Sequence, residues 1–318
     1  MNEAIGQTTA KTFRKYIPIV TAICCLISLI LFTGINLQGN LDTPESYRKW
    51  GAPLAPEIFN GAYWGLITSN FVHVEIWHIA FNLYWLWIFG KKVEFETKKP
   101  FYVLFILSSA LVSSLAQLAF SETTGIGLSG IGYALFGFLF VKSKTADAYK
   151  NYLDKRTVGL FLFWLVLCVI LSATDIWEVG NAAHIGGMLW GGLLAYTSKY
   201  SRVVRWEIGI IYLSVLIILI LKGPFSISYL SYRAFGLHKN QQAEAAIEVY
   251  KKILKQDPDN EFAKGNLAQL EIYELQKKAR ELHTKGRYHE ARQLYNQILR
   301  LDKDNAWVKE NLSRLPAE

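Results

Sequence analysis

Four polar side chains stand inside long apolar stretches of this chain, and together they could do chemistry. Ser129 lies in Gly127-Leu128-Ser129-Gly130, His184 in Asn181-Ala182-Ala183-His184-Ile185-Gly186-Gly187, and His78 and Asn82 in His78-Ile79-Ala80-Phe81-Asn82. Polar and ionisable groups in hydrocarbon are expensive, so each is a functional candidate by default. An imidazole beside a hydroxyl is the minimum machinery for nucleophilic catalysis: the His takes the proton as the Ser attacks and returns it to the leaving group. The i, i+4 spacing of His78 and Asn82 puts both on one helix face, where both could donate to a developing oxyanion. Ser129 opens its stretch, and a helix N-terminus offers free N–H groups and the positive end of the dipole to an anion. No acidic residue lies in an apolar stretch near His184, and Asp175 belongs to the preceding loop. A dyad is therefore expected, not a triad.

Taken singly, these residues signify less. A Ser in a span usually bonds its own i−4 carbonyl, a His packs or lines an ion path, and an Asn glues helices together. The combination, at matching depth on one side of three spans, is what carries the reading.

The elements that must position them are membrane helices. About 20 apolar residues cross ~30 Å of hydrocarbon. Seven stretches qualify as candidates, at 16–35, 63–90, 101–120, 127–141, 158–173, 181–196 and 208–221, the second long enough to tilt or to include an interfacial turn. Fifteen Lys and Arg precede the first stretch or follow the second, fourth and sixth, whereas only Arg48 and Lys49 occupy the alternate loops. This positive-inside bias puts the N-terminus in the cytoplasm and, with seven spans, the C-terminal region outside. The fourth stretch is short, so Ser129 is expected on the order of 10 Å below the outer surface. Gly127 and Gly130 allow non-helical backbone there. Ala183, Gly187 and Gly191 form a small-residue stripe that matches Gly130 and Ala134, so the fourth and sixth helices can approach closely and bring His184 to Ser129.

Charge divides the chain in two. Residues 222–318 hold 30 of the 60 Asp, Glu, Lys and Arg side chains, which rules out one uniform soluble fold. The net charge of +8 splits evenly between the two parts and marks no nucleic-acid face. In the charged part Ala246, Tyr250, Ile253 and Asp257-Pro258-Asp259-Asn260 recur 45 residues later as Ala291, Tyr295, Ile298 and Asp302-Lys303-Asp304-Asn305. Each set is an amphipathic helix followed by an Asp-rich stop. This resembles tetratricopeptide repeats, whose period is 34, and the 11 extra residues predict a lengthened helix around 261–285. A generic helical bundle is the alternative, and either implies a protein-binding surface. His238, His283 and His289 lack metal-ligand spacing and are expected in solvent. No zinc or calcium pattern appears, and no cofactor is expected. Cys24, Cys25 and Cys168 read as buried thiols.

The three motifs, His78…Asn82, Gly127-Leu-Ser129-Gly130 and Ala183-His184-Ile-Gly-Gly187, resemble the signature of the rhomboid intramembrane serine proteases over roughly residues 60–197. Gly90-Lys-Lys-Val-Glu94 fits the family's Gly-x-x-x-Glu; His73, Gln117 and Asn181 also fall at family-like positions. The resemblance implies Ser129 as nucleophile, His184 as general base, His78 and Asn82 at the oxyanion, Gly127 shaping the active-site loop, and Tyr133 packing against His184. The family's Trp-Arg of the first outer loop is absent, Trp64 being followed by Gly65.

The expected fold is all-α: a polytopic membrane bundle, six rhomboid-like helices plus one, with a soluble helical repeat domain. The expected organisation is a cytoplasmic segment 1–15, a six-span domain 16–197, a seventh span 198–225 and an extracytoplasmic repeat domain 226–318. Such a serine endopeptidase of the cell membrane would cut transmembrane protein substrates in or near their helices. Its surroundings are the lipid bilayer, and its repeats offer a site for a protein partner; nucleic acid is not expected. A catalytically silent relative that binds and escorts transmembrane helices is one alternative. A transporter using His78, Asn82 and His184 as an ion path is another, weakened by the lack of a long inverted repeat of spans.

Overall fold

The computed structural model describes residues 17–38, 44–121, 123–174, 176–222 and 227–316. The N-terminal segment 1–15, with Lys11, Arg14 and Lys15, lies outside the described residues, as do Asp42, Glu122 and Asp175. Every element among the described residues is helical: α1 (Ile19–Gln38), α2 (Pro44–Lys49), α3 (Ala55–Phe59), α4 (Gly65–Thr68), a 3₁₀ turn (Ser69–Phe71), α5 (Ile76–Trp85), a π turn (Leu86–Gly90), α6 (Lys91–Glu96), α7 (Lys99–Leu118), α8 (Ser129–Thr145), a 3₁₀ turn (Asp147–Tyr149), α9 (Lys155–Ala173), α10 (Asn181–Thr197), α11 (Arg202–Lys222), α12 (Ile227–Lys239), α13 (Ala243–Gln256), α14 (Glu261–Thr284), α15 (Tyr288–Leu301) and α16 (Ala306–Ser313). The chain forms two compact units that interleave in sequence. One comprises residues up to 52, 66–114 and 125–207, and the other comprises 53–65, 115–124 and 208–318.

Among the described residues four helices, α1, α7, α9 and α11, are long and apolar enough to cross a membrane. Within the expected second stretch, 63–90, long enough to tilt or to include a turn, a short helix and a 3₁₀ turn occupy 65–71, extended chain follows, and the continuous helix begins at Ile76. Apolar composition alone cannot see this break, because Asn70 and His73 turn inward and find buried partners there. Asn70 Nδ2 donates to Ser114 Oγ at 2.9 Å, and His73 Nδ1 meets the Phe71 carbonyl at 3.2 Å. From Ile76 the helix runs to Glu96 through the π turn at Leu86–Gly90.

In the first unit α8 is the central helix. Gly130 through Leu139 are all buried, so this helix is apolar all round, as a helix surrounded by others must be. Its 17 residues span only about 25 Å. The expected small-residue seam is present between α8 and α10. A Cβ on Gly187 would fall 2.2 Å from the Gly130 carbonyl oxygen, and one on Gly191 would fall 1.8 Å from that of Ala134. Side chains larger than hydrogen would push these backbones apart. Gly130 is helical, contrary to its expected role in irregular backbone; its missing Cβ makes room for Ser113, which a methyl would meet at 2.6 Å.

Glu94 ties the ends of α1 and α6 together. Its carboxylate accepts Val20 N and Thr21 N, each at 2.9 Å, and Thr21 Oγ1 at 2.8 Å. Pro18 precedes α1 and has no side-chain acceptor, so this buried carboxylate supplies the missing N-cap from 73 residues away. Gly90 fits because a Cβ there would lie 2.5 Å from the Tyr102 hydroxyl.

In the second unit the 45-residue repeat is realised position by position in the core. Ala234 and Ala279, Ala246 and Ala291, Tyr250 and Tyr295, Ile253 and Ile298, and Ala263 and Val308 are pairwise equivalent, and all are fully buried. Asn260 and Asn305 cap α14 and α16, accepting Ala263 N at 2.9 Å and Val308 N at 3.1 Å. Each also donates to the Asp three residues before it at 3.0 Å. The lengthened helix is α14. Its first half packs Ala263 and Leu270 against α12 and α13, and its second half packs Ala279 against α15. Eleven extra residues are about three full turns, so both halves present apolar residues in phase. His238 and His283 are half-buried, not solvated. His283 Nδ1 lies 3.1 Å from the Tyr295 hydroxyl, and His238 faces the equivalent Tyr250 at 6.3 Å between rings. The repeat carries each His to the edge of a tyrosine-centred core, which spacing rules for metal ligands do not test. His289 is exposed.

Candidate active site

Ser129 is the first residue of α8, and its position is set from both sides. The preceding Gly127 has φ +100°, a left-handed backbone that favours glycine. Its N–H donates to the Ser69 carbonyl at 3.2 Å. A Cβ on Gly127 would lie 2.8 Å from His78 Nε2 and 3.3 Å from Asn82 Nδ2. His78 and Asn82 thus face the same small space beside the loop, and any other residue at 127 would fill it. After Ser129, Gly130 lets α8 lie against α7 and α10.

The seam between α8 and α10 brings His184 to this point. Its Nε2 lies 2.8 Å from Ser129 Oγ. The His184 ring stacks on Tyr133, one turn into α8, with centroids 4.7 Å apart and planes at 27°. Tyr133 is itself fixed, its hydroxyl donating to the Phe161 carbonyl at 3.2 Å. His184 Nδ1 is buried and has no hydrogen-bond partner among the described residues. Ahead of His184, Asn181 Nδ2 donates to Ser172 Oγ at 2.8 Å and closes the link from α9 to α10.

Sequence reasoning gave His73 only a family-like position, yet it organises the site. It is fully buried. Its Nε2 meets Asn82 Nδ2 at 3.0 Å and the Leu128 N–H at 3.2 Å. An Nε2 that accepts two N–H groups is unprotonated, so Nδ1 carries the proton and donates to the Phe71 carbonyl at 3.2 Å. One imidazole thus orients the Asn82 amide and pins the residue before Ser129. His73 lies before α5, off the helical register that singled out His78 and Asn82; only its polarity in an apolar stretch could have flagged it.

Trp77 and Phe81 of α5 reach across to the α9 side. Trp77 meets Trp177 at 4.5 Å and Phe81 meets Trp164 at 5.6 Å. Among the described residues no cluster of His, Cys, Asp and Glu could hold a metal ion.

Comparison with known proteins gives this arrangement a family. Residues 60–201 match the Rhomboid domain, and residues 275–305 match a tetratricopeptide repeat. The rhomboid protease GlpG of Salmonella paratyphi A (strain ATCC 9150 / SARB42) is 30% identical over 197 residues, which is 61% of this chain and 68% of that protein. The proteins of the same name from Salmonella typhi and Salmonella newport (strain SL254) are each 29% identical over the same share. The matched domain contains Ser129, His184, His78 and Asn82, and the matched repeat contains Tyr295 and Asn305; the chain is a membrane protein that belongs to the rhomboid family, with C-terminal tetratricopeptide-like repeats.

Proposed function

We propose that the protein is an intramembrane serine endopeptidase with Ser129 and His184 as its catalytic dyad. The observation that carries this reading is the 2.8 Å contact between Ser129 Oγ and His184 Nε2, at the N-terminus of a buried helix. Ser129 Oγ attacks the scissile carbonyl while His184 Nε2 accepts its proton. The tetrahedral oxyanion forms beside the Ser129 N–H, at the positive end of α8, with His78 and Asn82 as further donors. Asn82 is held for this by one of its two N–H bonds, to His73, which leaves the other to donate. Collapse expels the amine, which takes the proton from His184. Water then attacks the acyl-enzyme with His184 again as base. Tyr133 orients the imidazole by stacking on its face, which supplies the positioning part of what an acidic residue does in a triad.

The substrates are transmembrane proteins. They enter from the lipid, and their helix must unwind locally because intact i→i−4 bonds occupy its carbonyls. In this reading the chain crosses the membrane seven times, with the N-terminus in the cytoplasm and the repeats outside, where they take a protein partner. The short α8 serves as a span because its neighbours cover it from Gly130 to Leu139, and the 76–96 helix and α10 present large apolar side chains outward, among them Trp77, Tyr84, Trp87 and Leu189.

Single-span reporter proteins coexpressed with wild type, Ser129→Ala and His184→Ala test this reading. Cleavage by wild type alone is expected. Equal cleavage by Ser129→Ala refutes it, and retained reporter binding without cleavage by any of the three favours the escort alternative.

A further inference from the structure

Helix α12 opens the repeat domain and is covered on two opposite faces. Ile227, Leu230, Ala234 and Leu237 fall on one face and join the core with α13 and α14. Ser228, Tyr229 and Tyr232 fall on the other at 3.6-residue periodicity. That second face grips the chain at two places. The Phe59 ring of α3 sits 5.6 Å from Tyr229 and 5.3 Å from Tyr232, and the Tyr232 hydroxyl donates to Asn60 Oδ1 at 3.3 Å. Ser228 Oγ, buried, donates to the Leu118 carbonyl at the end of α7, also at 3.3 Å.

The segment gripped at Phe59 is braced by two short-range contacts. Leu54 N donates to the Glu57 carboxylate at 3.1 Å, and Pro53 packs so close to Gly65 that a Cβ there would lie 2.3 Å from it. It continues through α4 into Ser69, whose carbonyl holds the Gly127 N–H. The segment gripped at Leu118 leads along the sequence to Gly127, nine residues on, with Glu122 between them outside the described residues. Both chain segments held by α12 therefore run into the two sides of one hydrogen bond, two residues from Ser129.

We propose that Phe59, Ser228, Tyr229 and Tyr232 are positioning residues for the loop that carries Gly127, and that α12 is the arm through which the repeats regulate the site. A protein bound to α13–α16 would act on Ser129 through α12 and the two chain segments that it holds. This rests on the reading of Ser129 as nucleophile, but its geometry does not.

The full chain tests it in three ways. With p-benzoylphenylalanine in place of Tyr232, irradiation is expected to give a crosslink within 53–65; crosslinks to lipid or to other proteins alone overturn the proposal. In Tyr229→Ala/Tyr232→Ala, amide hydrogen exchange of the peptide containing Gly127 is expected to rise roughly tenfold, with recovery in Tyr229→Phe/Tyr232→Phe, which keeps the rings. Unchanged exchange at Gly127 overturns the proposal even if the melting point falls, because a merely structural contact would lower only the latter. For fluorophosphonate labelling, the maximal inactivation rate is expected to fall about tenfold in the double Ala variant, with little change in the concentration for half-maximal rate. Wild-type labelling in that variant overturns the regulatory claim. If wild type itself fails to label, the catalytic reading fails, and the crosslink and exchange results still decide the positioning claim.

Discussion

Gly187→Ala perturbs the proposed Ser129–His184 dyad from a position outside both side chains. The new Cβ would sit 2.2 Å from the Gly130 carbonyl oxygen and 2.8 Å from Ser113 Oγ. A carbon and a carbonyl oxygen settle at about 3.3 Å or more, so α8 and α10 must part by roughly 1 Å at this level. Gly130 adjoins Ser129, and Gly187 is one turn below His184. The 2.8 Å hydrogen bond then stretches toward ~3.8 Å, beyond hydrogen-bond range. A misplacement of about 1 Å can cost on the order of a hundredfold in rate, and overpacking a tight seam costs about 1–3 kcal/mol in stability. Gly192→Ala is the control on the same helix. Its Cβ would lie 3.7 Å from the Gly137 oxygen, an ordinary contact, and it gains up to about 1 kcal/mol of helix propensity. The assay is the rate of fluorophosphonate labelling alongside a thermal melt. Gly187→Ala is expected to label roughly a hundredfold more slowly, and Gly192→Ala like wild type. Wild-type labelling in Gly187→Ala, or equal damage in both, refutes the claim that seam spacing sets the dyad.

Three further outcomes follow from other contacts. His73→Leu removes the acceptor for Asn82 and Leu128; labelling is expected to slow at least tenfold with His184 and Ser129 intact, and an unchanged rate would show that His73 only packs. Glu94→Ala strips α1 of its cap and leaves buried N–H groups unpaired, costing about 2–4 kcal/mol in a melt, whereas Glu94→Gln, which keeps one acceptor, is expected to lose less. Asp154 caps α9 through Thr157, whose N–H donates at 2.7 Å, and these bonds hold its carboxyl below the ordinary range. Its stabilisation is complete above the unfolded value of about 3.9 and is lost as pH falls through the lowered folded value. The melting difference between wild type and Asp154→Asn should therefore be constant near neutrality and close in acid; a difference that grows in acid would contradict the sign.

The residues at the centre of the site were legible because each is polar in an apolar stretch, where that choice is costly. The α8–α10 seam was legible for a related reason: small residues at a four-residue spacing have few other uses between helices. The repeat showed itself through period alone, and the uninterrupted α14 follows from three whole turns of insertion. What stayed hidden depends on partners distant in sequence. His73 gains its importance from Asn82 and Leu128, neither of which its own spacing predicts. The break at 69–75 is stabilised by Ser114, 44 residues from Asn70. The pairing of Phe59 with Tyr229 and Tyr232 joins residues about 170 positions apart, which no local pattern encodes. Glu94 announced a motif, but its role as the cap of α1 needed the tertiary structure.

The central claim is that Ser129 is a nucleophile activated by His184, and the most direct measurement is the site of fluorophosphonate adduct formation in the membrane-embedded protein, located by peptide mass spectrometry. The account predicts one adduct, on Ser129, formed by wild type and absent from Ser129→Ala and His184→Ala. An adduct on another residue, or one that persists on Ser129 at the wild-type rate in His184→Ala, contradicts it.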